Sequence, residues 1–161
     1  MTTKTDYTDE EWSLLTRAPL SIAAAVIASD LSGPVGVAQE FMSMVKLIEA
    51  TRQRHTSNEL VNAVADATGV EAGSPTASAP QSGAEAITLA VGECREIAAL
   101  LARKAPEAEA HSFARWLMLV AQTVAEAARE DDDEFGLAAT LVSENEIAAM
   151  HQMEQALGLM S

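Results

Sequence analysis

Apolar side chains return every three or four residues through most of this 161-residue chain, and this period restricts its fold more than any other feature. An α-helix has 3.6 residues per turn, so each such stretch forms a helix whose apolar face must be buried against another helix. Alanine, which has the highest helix propensity, fills 32 positions, whereas aromatic residues make up only 4% of the chain. The sequence therefore predicts an all-α fold.

Helix start and stop signals predict a bundle of five to six helices, three of them long. Thr8 and Glu11 form a capping box at the first helix, and Pro19, which has no backbone N–H, predicts a break near Ala18. The later segments are predicted at about 34–54, 58–68, 84–104, 106–130 and 143–158. In the 34–54 segment, the apolar stripe that we expect to be buried comprises Val37, Phe41, Met44, Val45 and Ile48.

The organisation along the chain predicts one helical domain over residues 1–161. Residues 1–7 are polar and are expected to form a disordered tail. Residues 69–83 are rich in glycine, serine and proline, with little to bury, which is typical of a flexible surface connection.

The net charge argues against nucleic acid and membranes as partners. Ten Lys and Arg against 24 Asp and Glu give a net charge of −14, which repels nucleic acid and anionic membrane surfaces. The longest nearly apolar run, 18–28, is shorter than the roughly 20 residues that span a bilayer. We therefore expect a cytoplasmic protein with no nucleic-acid or membrane partner.

Catalytic and metal-binding patterns are weak in this sequence. No histidine follows a glutamate at the spacing of a di-iron helix, and Cys94 is the only cysteine, so no catalytic residue and no cofactor is predicted. The acidic run 130–134 offers Asp131 and Asp133 as candidate metal ligands, with Gly136 at the sixth position of a calcium loop. Val142 stands where that loop needs a bidentate glutamate, so a solvated turn or a surface for a basic partner are the competing interpretations.

Methionine and tryptophan provide the candidate binding surface. Methionine adapts to irregular partners, although at helical spacing it also fills cores. The candidate residues for a partner or ligand surface are Trp116, Met118, Met150 and Met153.

Two groups of residues resemble an uncharacterised family of small bacterial all-helical proteins. The groups are Glu11-Trp12 with Leu15, Ala18, Pro19, Asp30 and Ser32-Gly33, and Phe113-x-x-Trp116-Leu117-x-x-Val120-Ala121-x-x-Val124-Ala125 continuing through Glu130 and Gly136 to Val142-Ser143-x-x-Glu146. The resemblance implies a helical bundle and brings no established activity. The family tends to be glycine-rich where this chain has its acidic run.

Two functions from different classes fit these features. The first is a non-enzymatic helical protein-interaction module that self-associates as a homo-oligomer or binds a protein partner, because the apolar stripes are many and no polar triad converges. The alternative is a small-molecule-binding helical bundle with a pocket near Trp116.

Overall fold

The computed structural model describes residues 1–29, 33–71, 82–127 and 143–160. These residues form six α-helices and one short 3₁₀ helix, and no β-strand occurs among them. The predicted all-α helical bundle is therefore confirmed. The 3₁₀ helix spans Lys4–Asp6, and the α-helices are α1 (Asp9–Ser29), α2 (Gly33–Arg54), α3 (Glu59–Glu71), α4 (Gly83–Lys104), α5 (Glu107–Ala127) and α6 (Glu144–Ala156).

Helix α1 runs without interruption through Pro19, so the predicted break near Ala18 is wrong. A proline inside a helix leaves the carbonyl four residues earlier without its usual donor. Burial outweighs this loss, because Ala18, Ile22 and Ala23 are all at most 1% exposed and continue one apolar stripe across the proline. Four described helices consequently have 21 or 22 residues, instead of the three long helices predicted.

Helices α1 and α4 lie antiparallel. The start of α1 meets the end of α4, where Lys104 Nζ lies 2.6 Å from Glu11 Oε2. At the other end, the backbones of Ala28 and Gly83 approach closely, and a Cβ added to Gly83 would lie 2.2 Å from the Ala28 carbonyl oxygen. Only glycine fits at this position without displacing the neighbouring backbone.

The remaining helices join this pair around one hydrophobic core. Helix α3 is tied to α1 where Thr68 Oγ1 donates to the Thr16 carbonyl at 3.0 Å, and to the start of α5 where Asn58 Nδ2 donates to the Glu109 carbonyl at 3.0 Å. The core cluster has members from all six described helices, including Leu15, Ile22, Met44, Leu60, Ile97, Phe113 and Met153.

Helix α2 buries only part of the predicted stripe. Met44 and Ile48 are buried as predicted, whereas Val37, Phe41 and Val45 are 41%, 38% and 36% exposed, so their assignment to the buried stripe is wrong. The helical period groups residues on one face but does not say which side the neighbouring helix occupies. The face that turns inward is the line Glu40, Met44, Ile48 and Thr51.

Residues 1–7 pack against the bundle, in contrast to the predicted disordered tail. The Thr2 backbone N–H donates to both carboxylate oxygens of Glu109 at 3.0 Å, and the Thr2 and Tyr7 hydroxyls lie 2.9 Å apart. Thr2 is only 6% exposed and Tyr7 8%. The polar groups of Thr2 therefore form hydrogen bonds to the buried Glu109 carboxylate instead of facing solvent.

The predicted flexible connection at 69–83 is helical at its two ends, where the structure describes it. Helix α3 continues to Glu71, and α4 begins at Gly83 with Ser82 as its N-cap. A glycine inside a helix costs only about 1 kcal/mol relative to alanine, so Gly69 does not end α3. Residues 72–81 lie outside the described part of the chain.

Helix α1 is long and apolar enough to cross a bilayer by length and composition, with a mean hydropathy of 1.3 over its most apolar window. In the bundle, 56% of that window is buried against other helices. The core helix of a globular protein satisfies the same two criteria.

Candidate functional site

The candidate site is a solvent-open groove between α5 and α6, with a volume of about 780 Å³. We call it the α5–α6 groove. Its α5 wall is formed by His111, Arg115, Trp116, Met118, Leu119 and Gln122. Its α6 wall is formed by Ile147, Met150, His151 and Glu154, and Leu159 beyond the helix closes one side.

Trp116 and Met118 form the buried floor of this groove. They are 7% and 9% exposed, respectively. The Trp116 indole N–H donates to Thr51 Oγ1 at 3.3 Å, and its ring centroid lies 5.8 Å from that of Phe113. The only hydrogen-bond donor of the indole is thus directed into the bundle, and Trp116 offers the groove an apolar edge.

The two predicted methionines of α6 lie in different environments. Met150 is half-buried and lines the groove, whereas Met153 is 0% exposed and belongs to the core. The two positions are three residues apart, yet the inward line of α6 passes through Glu146, Ala149 and Met153. The structure therefore brings Trp116, Met118 and Met150 together and excludes Met153 from the groove.

Leu119 and Ile147 line the groove on opposite walls and are 47% and 53% exposed. Each lies one position beyond a buried neighbour, Met118 on α5 and Glu146 on α6. Only the positions of the neighbouring helices distinguish an inward side chain from one at the edge of the stripe.

The groove is nearly neutral on a strongly acidic chain. Among the described residues that line it, Arg115 and Glu154 are the only Lys, Arg, Asp or Glu, and their formal charges cancel. Neither side chain has an ion pair or hydrogen bond within the described residues. The rest of the chain carries the −14 charge, so this groove repels an acidic molecule less than an average surface does.

A second cleft, lined by more charged residues, lies between the start of α1 and the end of α4, with a volume of about 660 Å³. Asp9, Glu10 and Glu11 line it together with Arg17 and Arg103. The hydrogen bond from Lys104 lowers the pKa of the Glu11 carboxyl, and the Thr8 backbone N–H adds to this effect. Glu11 caps α1 together with Thr8 and pairs with Lys104 of α4, so its role is structural.

Cys94 is buried in the core and is 0% exposed. Burial raises the pKa of its thiol to about 12, since a thiolate loses its hydration there, and the nearby Glu93 charge adds to the increase. The thiol stays protonated at neutral pH and does not act as a nucleophile.

The predicted metal ligands cannot be placed in this bundle. Asp131 and Asp133 lie outside the described residues, as does the rest of the acidic run, so their role stays a prediction. Over 1–29, 33–71, 82–127 and 143–160, no three His, Cys, Asp or Glu side chains are grouped to hold a metal ion.

Comparisons with protein-family models, with curated proteins and with solved structures find no match to this chain. The resemblance to a family of small bacterial helical proteins therefore stays a prediction.

Proposed function

We propose that this protein is a non-enzymatic helical interaction module that self-associates through the α5–α6 groove. The supporting observation is the pair Leu119 and Ile147, two large apolar side chains about half exposed on facing walls. Fully burying one such side chain stabilises a complex by roughly 1.5–3 kcal/mol, so the exposed halves contribute about 1 kcal/mol each. A two-fold dimer buries two copies of each.

The charge of the groove favours a second copy of this chain as the occupant. Two molecules of net charge −14 repel each other wherever their acidic surfaces meet. Contact through the α5–α6 groove brings together surfaces on which the formal charges of the described lining residues sum to zero. Adding salt screens the remaining long-range repulsion, so we expect the dimer to tighten as ionic strength rises.

Size-exclusion chromatography with light scattering tests this proposal over a range of micromolar concentrations. We expect the unaltered chain to dimerise, and Leu119→Lys and Ile147→Lys each to shift it towards monomer. Leu89→Lys is the matched control, because Leu89 is 54% exposed on α4 and does not line the groove. A chain that stays monomeric at every concentration, or a control that dissociates equally, contradicts the proposal.

The alternative proposal, a small-molecule-binding bundle, is supported by the same groove, whose volume lies within the range of about 300–1,000 Å³ typical of ligand pockets. Native mass spectrometry of the purified protein tests it, with a bound adduct as the expected result. A Trp12→Phe background leaves Trp116 as the sole tryptophan, so ligand titrations can follow its fluorescence. No adduct and no fluorescence change across a library of apolar compounds contradict this alternative.

A further inference from the structure

The two charges of the α5–α6 groove stand on opposite walls. Arg115 is exposed on the α5 wall, and Glu154 is half-buried on the α6 wall. Three other cations, Arg17, Arg52 and Lys104, form ion pairs within the chain, with Lys104 Nζ 2.6 Å from Glu11. Arg115 and Glu154 form no such pair within the described residues.

Two-fold symmetry makes this arrangement self-complementary. In such a dimer, any contact from one residue to another is repeated in the reverse direction. When α5 of one copy lies against α6 of the other, each arginine wall faces a glutamate wall. When α5 lies against α5, arginine faces arginine, which is unfavourable. Only the first arrangement satisfies both charges.

We propose that a second copy of this chain occupies the groove with its α6 against α5, so that Arg115 pairs with Glu154 of the partner subunit. The inference rests on the self-association proposed above and adds its geometry. The guanidinium donates two N–H groups to a carboxylate, which fixes the relative orientation of the helices as well as adding attraction. The pair occurs twice in each dimer.

Charge reversal tests this pairing through the dimer dissociation constant, measured by sedimentation equilibrium. Arg115→Glu and Glu154→Arg each place two like-charged pairs in the dimer, and we expect each to weaken it by about tenfold or more. The double variant R115E/E154R restores opposite charges and is expected to return the constant to near its original value. An equimolar mixture of the two single variants is also expected to restore the dimer, because the R115E copy offers two glutamates and the E154R copy two arginines, so each heterodimer holds two Arg–Glu pairs.

Arg95→Glu is the charge-matched control for Arg115→Glu. It makes the same change in net charge at an exposed position on α4 outside the groove. The dimer of this variant is expected to have a dissociation constant near that of the wild type. Thermal unfolding of every variant verifies that the bundle still folds.

The outcomes separate this inference from the proposed function. A wild-type dimer that R115E and E154R leave unchanged, or that the double variant does not restore, overturns the pairing and leaves self-association intact. A wild-type chain that is monomeric throughout overturns both, and leaves the groove to a different protein helix or to a small molecule.

Discussion

The α1–α4 contact and the α5–α6 contact are both made between neighbouring helices, but α1 and α4 approach tightly at their Gly83 end, whereas α5 and α6 border an open groove. At Gly83 the two backbones come close enough to exclude a Cβ. Between α5 and α6 the larger side chains Leu119 and Ile147 stand half exposed beside Trp116. A position without a side chain lets two backbones approach, whereas large side chains at the edge of a stripe leave a groove.

The largest expected effect separates the core from the groove on a single helix. Met153→Ala leaves a cavity beneath α6, and such truncations lower the free energy of unfolding by about 2–5 kcal/mol. Met150→Ala removes the same atoms from the groove wall and should cost less than half as much, because Met150 is already partly hydrated. Urea unfolding of both variants makes the measurement, and equal losses would contradict the distinction between the two methionines.

The next effect tests the close approach of α1 and α4 at Gly83. Gly83→Ala places a methyl group 2.2 Å from the Ala28 carbonyl oxygen, so the backbones must separate at a cost of about 1–3 kcal/mol. Gly92→Ala on the same helix is the control, since no atom lies within 4 Å of its added Cβ. Better helix propensity should make that variant more stable by about 0.5–1 kcal/mol. Thermal unfolding that gives both variants the same sign of change would refute the close approach.

A smaller effect concerns the floor of the open groove. Thr51→Val keeps the shape of the side chain but removes the acceptor of the Trp116 indole N–H. We expect a loss of about 1 kcal/mol in unfolding free energy, the usual net value of a hydrogen bond. In the Trp12→Phe background, a change in Trp116 emission should accompany it. An unchanged stability and spectrum would mean that the indole is held by packing alone.

The smallest effect is the pH dependence of the Glu11–Lys104 ion pair, at the opposite end of the α1–α4 contact from Gly83. The hydrogen bond from Lys104 lowers the pKa of Glu11 in the folded state, so its stabilisation is present above the ordinary carboxyl pKa and is lost as the pH falls through the lowered value. Glu11→Gln should therefore be less stable than the wild type near neutral pH, and the two should converge below about pH 4. Glu10→Gln serves as the control, and a difference between wild type and E11Q that persists in acid would contradict this interpretation.

Local signals such as caps and breakers predicted where helices begin and end. Contacts between distant segments have no comparable signal in the sequence. The predicted segment at 143–158 begins with a capping box of Ser143 and Glu146, and α2 ends at Arg54 as predicted, because caps and breakers act within one turn. The continuity of α1 through Pro19 depends on burial supplied by other helices. The packing of Thr2 against Glu109 joins positions 107 residues apart, which no local pattern reveals.

The same limit applies to the candidate site. The composition of α5 and α6 indicated the region, and three of its four predicted residues line the groove. The periodicity could not separate Met150 from Met153, because a helix stripe has a width and the neighbouring helices decide where its edge lies. Arg115 and Glu154 gave no signal in the sequence, since single charges on helix surfaces are common and only the fold brings these two to facing walls.

Alkylation of the buried Cys94 can report how often the bundle opens. A thiol that ionises only near pH 12 and has no exposed surface does not meet an alkylating reagent while the helices are together. Modification at neutral pH therefore requires the core to open, so the rate of alkylation reports how often the bundle opens. The one cysteine of the chain thereby reports on every helix that covers it.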